Sequence, residues 1–148
     1  GSRSSAQNNQ LMADIKREDR KHTLPLRLQA YERLSLFLER IAPGTLVFRV
    51  HKNSMTSRML HAELLATIRE EFEHNVTQQI YVSDRAWQQV KMAKEETLRI
   101  INIAYEQSGD NPNGTALSQR IFETASRLSH LPTQEAMLSL KEEVRKLF

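Results

Sequence analysis

All four prolines (Pro25, Pro43, Pro112 and Pro132) and all four glycines (Gly1, Gly44, Gly109 and Gly114) fall at the edges of segments, never in the middle of a long apolar pattern. These residues are the strongest local breakers of helices, so the stretches between them are free to run long. Within those stretches apolar residues recur at steps of three and four, which places them on one side of a 3.6-residue turn. Leu24, Leu28, Tyr31, Leu34, Leu38 and Ile41 make one such stripe, closed by Pro43-Gly44. Leu60, Leu64, Leu65, Ile68 and Phe72 make a second over residues 55–75, and Trp87, Val90, Leu98, Ile101 and Tyr105 a third over 84–107. Leu117, Ile121, Ala125 and Leu128 (115–130) and Met137, Leu140, Val144 and Leu147 (133–148) complete the set. Stripes of this kind bury one another, so the spacing predicts a mainly α fold, a bundle of about five helices.

End signals refine the boundaries. Thr23 can cap a helix whose first turn holds Pro25, Asn53-Ser54 can cap the next, and Ser83 or Asp84 the third. Two runs, TLVFRV (45–50) and VTQQIYV (76–82), are β-branched and aromatic, and they read as two very short extended segments. The helix between them is long enough for a parallel crossover. SGDNPNG (108–114) reads as a loop. At the amino end, Gly1-Ser2 without an initiating Met resembles the scar of a removed purification tag. The reading is therefore residues 1–10 as tag remnant and disordered, 11–22 as a charged connecting helix, and 23–148 as a single helical domain. A chain of 148 residues with 39% hydrophobic content supports a core without disulfides.

The chemistry is largely a set of exclusions. With no cysteine, a disulfide framework, a thiolate nucleophile and a Cys-ligated metal are absent. No G-x-G or Gly-Lys pair offers a phosphate cradle. Aligning Gly114 with the sixth position of a calcium loop puts Gly109 first and Arg120 twelfth, where carboxylates are required. The histidines (His22, His51, His61, His74 and His130) are not spaced as metal pairs, and Glu70, Glu71 and Glu73 beside His74 read as a solvated helix end. No catalytic, cofactor or metal residue is assigned.

Charge is uneven. Residues 1–60 carry a surplus of +6 and residues 61–148 a deficit of −3, within a net charge of +3. Despite the pI of 9.4, no zinc-finger or RNP pattern is present, and the aromatics Phe37, Phe72, Trp87, Tyr105 and Phe122 read as core, so no nucleic acid is expected. Lys16, Arg17, Arg20 and Lys21 are the candidate contacts to an anionic surface. Leu26, Leu36 and Phe37 add apolar surface beside the first stripe, which makes them the candidates for self-association.

The runs LPLRLQAYERLSLFLERIAPGTLVFRV (24–50), EFEHNVTQQIYVSDRAWQQVKMAKEE (71–96) and LPTQEAMLSLKEEVRKLF (131–148) resemble a family of uncharacterised bacterial proteins. Its members have one amino-terminal membrane-spanning helix, a charged connecting helix and a compact helical domain, and no catalytic residues are assigned to it. The resemblance implies a domain held at the cytoplasmic face of the bacterial inner membrane, here without its spanning helix, and the Gly-Ser start and basic end read as a truncation. The expectation is a non-enzymatic interaction or scaffold domain, with a protein partner or a second copy of itself. The alternatives are an enzyme with an unrecognised polar or metal site, and an anionic-lipid or nucleic-acid binder acting through the basic end.

Overall fold

A computed structural model describes residues 2–148, with side chains described from residue 4 onward; Gly1 lies outside the described residues. Six α-helices follow in order, α1 (Ser2–Ile41), α2 (Pro43–Val50), α3 (Ser57–Asn75), α4 (Asp84–Gln107), α5 (Gly114–Ser126) and α6 (Pro132–Lys146), with a 3-10 helix at Val76–Tyr81. The mainly α bundle expected from the stripes is what forms. Helix α4 lies at its centre and packs on α6, α5 and α3. The core draws on every helix, with Leu34, Phe37, Leu38 and Ile41 of α1 meeting Leu46, Leu60, Leu64, Ile68, Ile101, Leu117, Ile121 and Leu140 at full burial.

Three expectations are corrected. The run 45–50 is not extended: it lies in α2, because Pro43, Leu46 and Val47 fall at helical spacing and are buried while Phe48 points out, 88% exposed. Pro43 stands at the first helical position, where a missing N–H costs nothing. Packing of that face outweighs the β-branched composition. The run 76–82, left without a strand to pair with, satisfies its backbone locally as a 3-10 turn, Gln79 Nε2 donating to the Val76 carbonyl at 2.9 Å. Among the described residues there is no strand pairing beyond one isolated antiparallel bridge, Thr56 with Asn113.

The third correction is at the amino end. Residues 2–10, 11–22 and 23–41 form one unbroken helix, so the described part of 1–10 is helical, Thr23 is no cap, and Pro25 sits inside. Extending a formed helix adds one hydrogen bond per residue, so a polar stretch can continue it. Thr23 Oγ1 donates to the Asp19 carbonyl at 2.9 Å. Pro25 withholds a donor from the Lys21 carbonyl, which is exposed to water at that point. Every side chain from 4 to 23 is exposed, so this part of α1 is an arm of about 30 Å at 1.5 Å per residue. Cap positions also differ: Thr56, not Asn53 or Ser54, caps α3 by accepting from Met59 N, whereas Ser83 caps α4 as expected.

Candidate functional site

The residues singled out from the sequence scatter over α1. Arg17 pairs with Asp14, and Lys21 lies 3.7 Å from Glu18, both on the exposed arm. Lys16 has no ion pair among the described residues, and Arg20 alone of the four lines a cleft, between α1 and the end of α6. Leu26 and Leu36 are 44% and 59% exposed, as a contact surface requires. Phe37 is not: at 1% exposure it lies in the monomer core, its ring 6.0 Å from Phe72, and its place among the self-association residues is withdrawn. The physical reason is that the α1 stripe is broader than one row, because α3 and α4 both cover it. Two residues expected inside lie outside. Leu128 falls past the end of α5 and Phe122 faces solvent beside Gly44, leaving them 44% and 47% exposed.

The acidic cluster divides. Glu70, Glu73 and His74 are exposed, but Glu71 turns inward, and its Oε1 accepts from Arg40 Nη2 at 2.8 Å and Arg40 Nε at 3.0 Å, with Arg49 Nη2 at 3.1 Å. This triad ties α1, α2 and α3 beside a cleft of about 620 Å³. The cleft holds charges of both signs, and the one hydroxyl in its lining, Thr67, donates to the Glu63 carbonyl at 2.7 Å. His61 stacks on Tyr105 with ring centroids 3.9 Å apart and meets Asn102 Oδ1 at 2.8 Å, an arrangement that orients the imidazole within the surface of the bundle. No group of three or more His, Asp or Glu positioned to hold a metal ion occurs among the described residues.

A second polar cluster joins distant parts of the chain. Glu143 on α6 accepts from Tyr31 Oη at 2.8 Å and from Ser83 Oγ at 2.7 Å, while Ser83 Oγ accepts from Ala86 N. Burial, then the hydrogen bond and negative charge of Glu143, push the Tyr31 hydroxyl above its ordinary value of 10.0. These groups lock α1, α4 and α6 together.

A largely apolar depression lies between α4 and the corner joining α5 to α6 and encloses about 440 Å³. Met92, Ile100, Ile103, Leu128 and Pro132 line it, with Met92 59% and Ile103 36% exposed, and Glu96, Arg99 and Glu135 stand at its rim. Sequence reasoning missed it because Met92 and Ile103 lie off the inward stripe of α4, and the end of α5 before Leu128 carries no breaker to mark it.

The description "Family of unknown function (DUF7935)" is that of a family model matching residues 2–147, nearly the whole chain. The chain belongs to this family. No curated protein is significantly similar to it, and no solved structure is either. No helix among the described residues is long and apolar enough to cross a membrane.

Proposed function

We propose that this member of the family is a non-enzymatic interaction domain that associates with further copies of itself, the arm of α1 from one copy docking in the α4–α5–α6 groove of the next. The observation that carries the reading is that one chain holds both halves of a helix-in-groove contact. The arm exposes Leu11 (57%), Met12 (54%) and Ile15 (44%) within one turn, and the groove exposes Met92, Ile103 and Leu128. An arm continuous with a core helix points away from its own bundle, so its apolar turn needs a second molecule for cover. Charge is compatible with the same pairing, since Lys16, which has no ion pair among the described residues, follows the apolar turn and Glu135 stands in the groove lining, while Glu96 there is paired with Arg99. At 100° per residue Leu26 and Leu36 lie within about 80° of Leu11 and Ile15 around α1, so a docked copy extends toward them.

The resemblance in the runs 24–50, 71–96 and 131–148 supplies the place we propose, the cytoplasmic face of the bacterial inner membrane, with a spanning helix ahead of α1. Confinement there raises the local concentration of both halves. Ile15→Glu spoils the arm and Met92→Glu the groove, each at an exposed position. In sedimentation velocity the parent chain is expected to grow heavier with concentration, while each variant alone stays monomeric. An equimolar mixture of the variants restores one junction and forms a dimer. A parent chain that stays monomeric at high concentration, or a mixture that does not associate, overturns the reading.

A further inference from the structure

The arm meets the bundle at a small cleft whose lining is distinct from the groove. Arg20, Thr23, Leu24 and Arg27 of α1 face Lys146 and Leu147 at the end of α6 around about 170 Å³. Arg20, Thr23, Leu24 and Arg27 fall at i, i+3, i+4 and i+7, so two guanidinium groups project from one side of α1 two turns apart. Lys146 closes the cleft from the other helix, which gives three cations and no carboxylate in the lining. None of the three has an ion pair among the described residues, unlike Arg17 and Lys21 one turn or less from Arg20. Arg27 is held in place, its Nε donating to the Tyr81 carbonyl at 3.3 Å and its guanidinium also reaching the Tyr31 hydroxyl, so part of its N–H fork remains for another acceptor.

Three like charges in one concavity repel one another unless an anion joins them. We infer that this cleft is a binding site for a phosphoryl anion, held by Arg20, Arg27 and Lys146. Guanidinium groups match a phosphoryl oxygen pair in geometry as well as charge, and the ammonium adds a third contact from across the cleft. The volume corresponds to five or six waters at roughly 30 Å³ each, room for a phosphoryl group with part of its hydration. Leu24 and Leu147 supply the apolar part of the lining. The same chemistry serves a phospholipid headgroup or a free phosphate species. Lys146 also opposes the dipole at the end of α6, as Arg145 does, and a purely structural role of that kind needs no ligand.

NMR titration of the full chain with inorganic phosphate, alongside sedimentation with phosphatidylcholine vesicles with and without phosphatidylglycerol, separates these. Saturable shifts at Arg20, Arg27 and Lys146 are expected, weakened about tenfold by Arg27→Gln, the loss of one charge-assisted contact, and further by Lys146→Glu, which also turns a cation of the cleft into an anion. Arg145→Glu, which removes a neighbouring charge outside the cleft, leaves them unchanged. Binding to phosphatidylglycerol vesicles with the same dependence on Arg27 and Lys146 assigns the anion to a headgroup, and phosphate binding without vesicle binding assigns it to a soluble species. The proposal is overturned if phosphate gives no saturable shift and vesicle binding ignores the Arg27 and Lys146 variants. It is equally overturned if Arg145→Glu weakens binding as much as Lys146→Glu does.

Discussion

Single side chains in this protein matter most where they join helices far apart in sequence. Tyr31, Ser83 and Glu143 belong to three helices or their caps, and their hydrogen bonds close loops of 112 and 60 residues. Ser83 was legible as a cap because cap residues work within three positions of themselves, whereas nothing local marks Glu143 as its partner. Tyr31→Phe removes one buried hydrogen bond and is expected to cost about 1 kcal/mol in urea unfolding. It should also change the response to alkali. A hydroxyl whose folded value is raised contributes stability that is complete below its unfolded value and lost as pH rises through the folded one. The parent is therefore expected to lose stability above about pH 10, the ordinary tyrosine value, more steeply than Tyr31→Phe does. Identical alkaline limbs for the two would refute the assigned environment. Phe37 sets the larger single cost. Its ring begins a series in which Phe72 lies 6.0 Å away and Trp87 stacks on Phe72 at 5.3 Å, so Phe37→Ala opens a cavity between α1 and α3 and is expected to cost about 3–5 kcal/mol.

At the scale of elements, the sequence showed helices where a stripe repeats over several turns and misled where a segment is short. Helix α2 has only eight residues, too few for periodicity to outweigh the β-branched character of residues 45–50, and its helical state depends on burying Leu46 and Val47. The arm misled only at its start and its join to the bundle: residues 11–22 read as a charged helix and are one, whereas residues 2–10 carry no apolar stripe and Thr23 with Pro25 looks like a new helix start. One junction between elements depends on glycine for lack of space. Gly114 N donates to the Met55 carbonyl at 3.2 Å and Ser57 N to the Pro112 carbonyl at 2.8 Å, which holds the starts of α3 and α5 side by side. A Cβ on Gly114 would meet the Met55 carbonyl oxygen at 2.6 Å, inside contact distance. Gly114→Ala is therefore expected to destabilise by about 1–3 kcal/mol, the usual cost of overpacking. Gly44→Ala serves as the control, since its Cβ would stand 3.5 Å from Phe122 in ordinary contact and inside α2. It should be neutral to slightly stabilising. Equal melting temperatures for the two variants would show that the Gly114 backbone can move aside.

The whole molecule is a bundle with a helical arm, and that asymmetry decides what kind of assembly it can make. An arm entering a groove on a different face is a head-to-tail contact, so each added copy presents a fresh arm and a fresh groove. Unlike a two-fold pairing, which stops at the dimer, such a contact propagates until it closes into a ring or is capped. Neither half is legible in the sequence, where Leu11, Met12, Ile15 and Met92 belong to no inward stripe, because which helix faces are left uncovered depends on how α4, α5 and α6 pack around one another. Ile15→Glu retains an intact groove while losing its arm, so it should act as a chain terminator. Added in increasing amounts to the parent chain at fixed concentration, it is expected to shift the weight-average mass by light scattering steadily down toward the dimer. Met92→Glu, capping from the other end, should do the same. A symmetric dimer would instead show no species above two copies at any concentration, and finding that ceiling would rule out the head-to-tail arrangement.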